Sequence, residues 1–169
     1  MRKENLGKNL SQTKSSVRLN VESDKNKLYE KLYKIALKNM DNAYAKYSGF
    51  RVSAALLDED GNVFNGVNVE NSSYGATICA ERVAISTAVT DGSRKFVAIA
   101  VASSDGEVWP CGICRQVIFE FSENLDVISM DSDGKMKVLK ISELLKNGFK
   151  LEKINLHPPF SLANYLTEE

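Results

Sequence analysis

Phe96-Val97-Ala98-Ile99-Ala100-Val101-Ala102, followed after a short polar stretch by Pro110-Cys111-Gly112-Ile113-Cys114-Arg115-Gln116-Val117-Ile118-Phe119-Glu120-Phe121, decides the architecture. The first run is continuously apolar, the pattern of a strand buried on both faces. Such a strand needs helices above and below its sheet. The second run supplies one, with Pro110 near its first turn, where a missing N–H costs little. Upstream, residues 52–57 and 63–69 read as two strands separated by Asp58-Glu59-Asp60-Gly61-Asn62, and an Asp-Gly between β-prone runs signals a hairpin. Leu28, Leu32, Ile35, Ala36, Met40, Ala43 and Tyr44 recur at helical steps before that hairpin, and a second helix runs from Cys79 to about Val89. Downstream, residues 125–130 and 136–141 form a further strand pair around Asp131-Ser132-Asp133-Gly134-Lys135, and a short helix covers residues 142–146. The order α β β α β α β β α predicts an α/β fold. Its expected form is a three-layer α/β/α sandwich, a mixed five-stranded sheet with helices on both faces.

The 169 residues make one ordinary domain with tails, large enough to hold a core without disulfides. Hydrophobic residues are 43% and charged residues 26%, the usual globular mixture. No apolar run approaches a membrane span, and the first residues lack the apolar segment of a signal peptide. With 22 basic and 22 acidic side chains the net charge is zero, which argues against a nucleic-acid partner. Three cysteines, an odd number, read as reduced thiols in a cytoplasmic protein. Residues 1–25 read as a mobile polar tail, residues 26–149 as the folded domain, and residues 150–169 as a C-terminal extension containing Pro158-Pro159. The single histidine, His157, falls in that extension and reads as a surface residue.

All three cysteines fall at helix starts: Cys79 at one, Cys111 and Cys114 at another. A helix N-terminus favours thiolate over thiol. Residues three apart share a helical face and can grip one ion. Two helix starts that each adjoin a strand can meet at one edge of a sheet, where α/β proteins commonly bind ligands. Three thiolates leave the fourth position of a tetrahedral zinc open, the arrangement of a catalytic site; a structural zinc needs four protein ligands. A Cys-x-x-Cys pair can also be a thiol redox module. Glu81 favours the catalytic reading. Two residues after Cys79, it is placed to hang over the open position and carry a proton from an activated water to a substrate nitrogen.

Cys79-Ala80-Glu81-Arg82, with Pro110-Cys111-Gly112-Ile113-Cys114-Arg115-Gln116 some way on, resembles the zinc nucleoside deaminases in their three-cysteine form. Tyr47-Ser48-Gly49-Phe50, Asn68-Val69-Glu70-Asn71 and Tyr74 resemble the homotetrameric cytidine deaminase branch, and the likeness runs over residues 28–149. The resemblance implies Zn²⁺ on Cys79, Cys111 and Cys114, with Glu81 as catalytic proton shuttle. The reaction implied is hydrolytic deamination of cytidine and 2′-deoxycytidine in pyrimidine salvage.

Asn68 and Glu70 alternate with Val67 and Val69, so both point one way, and an amide beside a carboxylate suits a pair of ribose hydroxyls. The family places Phe50 on the pyrimidine, the Ala80 N–H at the base, Tyr74 near the site, and an aromatic at the position of Phe149 over a neighbouring subunit's pocket. It also places an arginine at Arg82 to offset the thiolate charge, with Arg115 as a second candidate. The implied partners are a small nucleoside and three further copies of the chain, with no nucleic acid and no membrane. The chain departs from the family at Ser53, where glycine is usual, at Ile113, where alanine is usual, and in Lys146-Asn147-Gly148-Phe149, which replaces a proline-containing ending. Blasticidin S deaminase-type enzymes share the zinc motifs but lack the Asn-x-Glu-Asn motif. A non-catalytic zinc or thiol redox module is the alternative from another class.

Overall fold

The computed structural model describes residues 25–151. The expected tail up to residue 24 and the extension from residue 152, with His157 and Pro158-Pro159, lie outside the described residues. Helix α1 spans Lys25–Asn39. Strands β1 (Val52–Asp58) and β2 (Val63–Val67) form the expected antiparallel hairpin. Then come α2 (Ala80–Thr90), β3 (Phe96–Ser103), α3 (Gly112–Phe121), β4 (Asp126–Met130), β5 (Met136–Lys140) and the single turn α4 (Ile141–Leu144). The sheet order is β2-β1-β3-β4-β5. Only β3 and β4 run parallel among its neighbouring strands, joined through α3, and the other pairs are antiparallel.

Side-chain alternation divides the core into the two expected layers. Ala55, Leu57, Ala98, Ala100 and Ala102 face α1 and meet Leu28, Leu32 and Ala36. Ala54, Leu56, Ile99 and Val101 face the other way, against Ala80, Ala84, Ala88 and Ile118 of α2 and α3. Small residues on both sides let α2 lie close to the sheet. Gly66 of β2 is required there: a Cβ at that position would come within 2.3 Å of the Ala80 carbonyl oxygen and of the Ala84 nitrogen. Ser53, on the α1 face, donates to the Ala36 carbonyl at 2.7 Å. Its hydroxyl therefore binds β1 to α1 on the side of the sheet away from α2.

Two helix starts differ from expectation. Pro110 and Cys111 precede α3 instead of opening it, and Cys79 precedes α2. Both cysteines are N-caps with extended backbone, at ψ 155° and 167°. Side-chain spacing alone does not separate a cap from a first helical residue, because a cap differs only in its backbone torsions.

Candidate functional site

The sheet brings the two helix starts together. The sulfurs of Cys79, Cys111 and Cys114 all lie within 4.8 Å of one another. Cys79 and Cys111 Sγ are 3.9 Å apart. Cys114, in the first turn of α3, is fully buried, while Cys111 is exposed. This donor set fits one tetrahedral ion: soft sulfurs suit zinc, and three of them leave one position for a water or substrate. Hydrogen bonding from Cys114 pulls the Cys79 thiol down to about 5 against the opposing effect of burial, helped by Arg82 and Cys111. The Cys114 thiol is pushed up by that same hydrogen bond, because it keeps the proton that the pair shares. A divalent ion would take all three as thiolates.

Glu81 is 4% exposed, in the first turn of α2. Burial raises its carboxyl pKa, with a further push from the negative charge of Cys79. Ala80 is fully buried beside it, at the first helical position after the Cys79 cap. Arg82 donates from Nη2 to the Thr77 carbonyl at 3.1 Å. Its Nε is buried and has no hydrogen-bond partner among the described residues. Burial works against its charge, but hydrogen bonding to Cys79 and the charges of Cys79 and Cys114 outweigh it and hold its pKa above the ordinary value. Arg115 directs its donors elsewhere, from Nε to the Pro110 carbonyl at 2.7 Å and from Nη1 to the Leu144 carbonyl at 2.9 Å. It ties the approach to Cys111 to α4.

Beyond β2 the chain continues as a narrow hydrogen-bonded ribbon. Val69 exchanges N–H and C=O with Ile78, at 3.0 and 3.1 Å, and Ile78 is followed directly by Cys79. On its other side, Tyr44 N–H reaches the Asn68 carbonyl at 3.0 Å and Glu70 N–H reaches the Tyr44 carbonyl at 2.8 Å. The Asn68-Val69-Glu70 segment and Cys79 thus belong to one backbone assembly. Asn68 and Glu70 both turn toward residues 47–52, as their alternation predicts. The Asn68 amide accepts from Val52 N–H and donates to the Phe50 carbonyl, both at 2.9 Å, which holds the backbone around Phe50. Glu70 Oε2 accepts from the N–H of Tyr47 at 2.7 Å and of Ser48 at 3.2 Å, and the Ser48 hydroxyl donates to Oε1.

A cleft of about 350 Å³ is lined by Tyr47, Ser48, Glu70, Tyr74 and Thr77. Tyr74 meets Tyr47 edge-on, with ring centroids 6.2 Å apart, and is 76% exposed. Phe50 is 37% exposed, and Phe149 is 65% exposed with its carbonyl held by Gln116 Nε2 at 2.9 Å. Ile113 is 64% exposed, so its bulk between the two thiols points outward. Tyr47, Ser48 and Thr77 also line the cleft, where residue type and spacing alone give them no role. A Ser-Gly-Phe sequence is a local turn signal that could have drawn attention to Ser48.

The model of the cytidine and deoxycytidylate deaminase zinc-binding region matches residues 26–130. Cytidine deaminase of Sporosarcina psychrophila is 44% identical over 128 residues, covering 75% of this chain and 94% of that protein. Cytidine deaminase of Halalkalibacterium halodurans is 44% identical over 126 residues, 73% of this chain and 96% of its own length. The crystal structure of cytidine deaminase from Burkholderia pseudomallei superposes with a TM-score of 0.67 at 43% identity, covering 71% of this chain and 98% of that one. With three sulfurs gathered at two helix starts and a buried carboxyl beside them, the chain belongs to the cytidine and deoxycytidylate deaminase zinc-binding family.

Proposed function

We propose that this protein hydrolytically deaminates cytidine and 2′-deoxycytidine to uridine and 2′-deoxyuridine, releasing ammonia. The observation that carries this reading is the placement of Glu81, a buried carboxyl of raised pKa, in the helical turn that begins at the Cys79 cap of a three-sulfur cluster. Zinc held by Cys79, Cys111 and Cys114 supplies a Lewis acid that activates water near neutral pH. Glu81 takes a proton from the attacking water and delivers it to N3 of the pyrimidine. It then takes the proton of the new C4 hydroxyl and passes it to the amine, which leaves as ammonia while the C4 carbonyl forms. Burial favours this shuttle, since a carboxyl with a raised pKa holds a proton better than an ordinary one between taking it up and passing it on. Arg82 offsets the net negative charge that three thiolates leave on a dication. The Ala80 N–H, at the unfilled start of α2, is available to the base.

On this reading Phe50 covers the pyrimidine while Asn68 and Glu70 fix the ribose. Asn68 acts through the backbone of residues 50–52, and Glu70 at the cleft wall. Tyr74 and Phe149 remain exposed in a single chain, which supports a homotetramer in which neighbouring copies close each pocket and exclude water. Among the described residues no helix is long and apolar enough to cross a membrane. Free thiols poised for metal suit a reducing, cytoplasmic setting. The experiment is to follow loss of cytidine absorbance and release of ammonia, before and after chelation and after adding zinc back. Turnover that is lost with the metal and restored by it supports the reading. A metal-free protein whose Cys111 and Cys114 cycle to a disulfide would overturn it.

A further inference from the structure

We propose that Ser48 is a positioning residue for nucleoside recognition, holding the Glu70 carboxylate so that one acceptor position remains for a ribose hydroxyl while fixing the turn that presents Phe50. This rests on the reading of Glu70 as a ribose contact. Residues 45–50 form a tight turn in which Gly49 N–H reaches the Ala45 carbonyl at 2.9 Å, and Gly49 is left-handed at φ +72°. The Ser48 hydroxyl bridges two sides of the site: it donates to Glu70 Oε1 and accepts from Phe50 N–H at 3.0 Å.

A carboxylate offers about four lone-pair positions, two on each oxygen. Oε2 is filled by the N–H groups of Tyr47 and Ser48, and Oε1 takes only the Ser48 hydroxyl. One position on Oε1 is left, at the wall of the cleft that Ser48 and Glu70 share. That count suits one sugar hydroxyl acting as donor. The same hydroxyl of Ser48, followed by Tyr47 N–H, holds the Glu70 carboxyl below its usual pKa, so it stays an ionised acceptor. Without the Ser48 hydroxyl, Oε1 loses the donor that fixes its rotation and Phe50 N–H loses its acceptor. Sugar and base contacts would then loosen together, whereas the thiols and Glu81 sit on other elements.

Steady-state kinetics with cytidine on the zinc-loaded protein test this in Ser48→Ala, Ser48→Thr, Glu70→Gln and the Ser48→Ala/Glu70→Gln double variant. Ser48→Ala should raise KM about tenfold with kcat changed far less, as expected for losing a hydrogen bond to a charged group. Ser48→Thr, which keeps the hydroxyl, should recover most of that loss. The double variant should fall well short of the sum of the two single effects, because Ser48 acts in part through Glu70, and what remains is the share carried by Phe50. An unchanged KM in Ser48→Ala beside a raised KM in Glu70→Gln would overturn the inference and leave the ribose contact standing. So would additive effects, or a fall confined to kcat. An unchanged KM in Glu70→Gln would overturn the ribose reading itself.

Discussion

Glu81 and Glu70 show how far environment separates two carboxylates. Glu81 is almost wholly buried beside an ionised sulfur, and burial first, then that charge, raises its pKa. Glu70 stands at an open cleft, where donors from Ser48 and Tyr47 lower its pKa. The first is suited to moving protons, the second to staying charged and accepting hydrogen bonds. Replacing Glu81 with Gln preserves shape and removes only the shuttle. The expected outcome is a fall in turnover of about 10²–10⁴-fold with zinc content and melting temperature nearly unchanged, checked by metal analysis and thermal unfolding beside the assay. Near-normal turnover would remove Glu81 from the mechanism.

Among the elements, α2 carries Glu81 and follows directly on Cys79, and its depth is set by small residues packed against the sheet. Ala80, Ala84 and Ala88 are fully buried against the sheet, and Gly66 permits the closest approach, under the first two. A methyl at Gly66 would meet backbone atoms that cannot rotate away, so the start of α2 must lift and take Cys79 and Glu81 with it. Gly66→Ala should cost about 1–3 kcal/mol of stability, the usual range for overpacking. It should also weaken zinc retention against a chelator at temperatures where the variant is folded. Gly75→Ala is the matched control, because a Cβ there meets nothing within 4 Å. Equal zinc retention in both variants would show that helix depth does not govern the metal site. The order of the α-helices and strands among the described residues was readable from periodicity and turn residues, but this depth was not, since it depends on which backbone lies opposite the glycine.

At the scale of the whole molecule, Asp126 fastens α1 to the sheet. It accepts from the Tyr29 hydroxyl at 2.5 Å and pairs with Lys25 at 2.9 Å and Lys140 at 2.7 Å. Burial alone would raise its pKa, but the hydrogen bonds from Lys140, Tyr29 and Lys25 outweigh burial and lower it. A lowered folded-state pKa stabilises the fold above the unfolded aspartate value of about 3.9, and that contribution is lost as pH falls through the folded value. Asp126→Asn should therefore cost about 1–3 kcal/mol at neutral pH and flatten the decline of stability below pH about 4, measured by urea unfolding across pH. An equally steep acid decline in the variant would exclude Asp126 as its source. Assembly is the other property of this scale. Tyr47, Tyr74 and Phe149 are 46%, 76% and 65% exposed, which leaves their rings for neighbouring copies to cover in the proposed assembly. Light scattering at assay concentration should report a mass near four times 18.7 kDa. An active monomer would defeat the shared pocket.

The sequence by itself determined the chemistry and the order of the elements. Three cysteines without a fourth, a glutamate two residues beyond the first, and apolar runs of strand or helix period are local facts, and local spacing carries them. It could not decide which carboxylate is buried, which arginine faces the sulfurs, or where Asn68 and Glu70 direct their donors and acceptors. Arg82 and Arg115 both lie within four residues of a cysteine at a helix start, yet one is held near the thiols and the other is bound to the carbonyls of Pro110 and Leu144. The difference is tertiary: α4 packs beside α3 and offers Arg115 a carbonyl, whereas the charge of Arg82 answers the sulfurs of Cys79 and Cys114. Burial and partner choice arise from elements far apart in the chain, so they appear only once the sheet has brought those elements together.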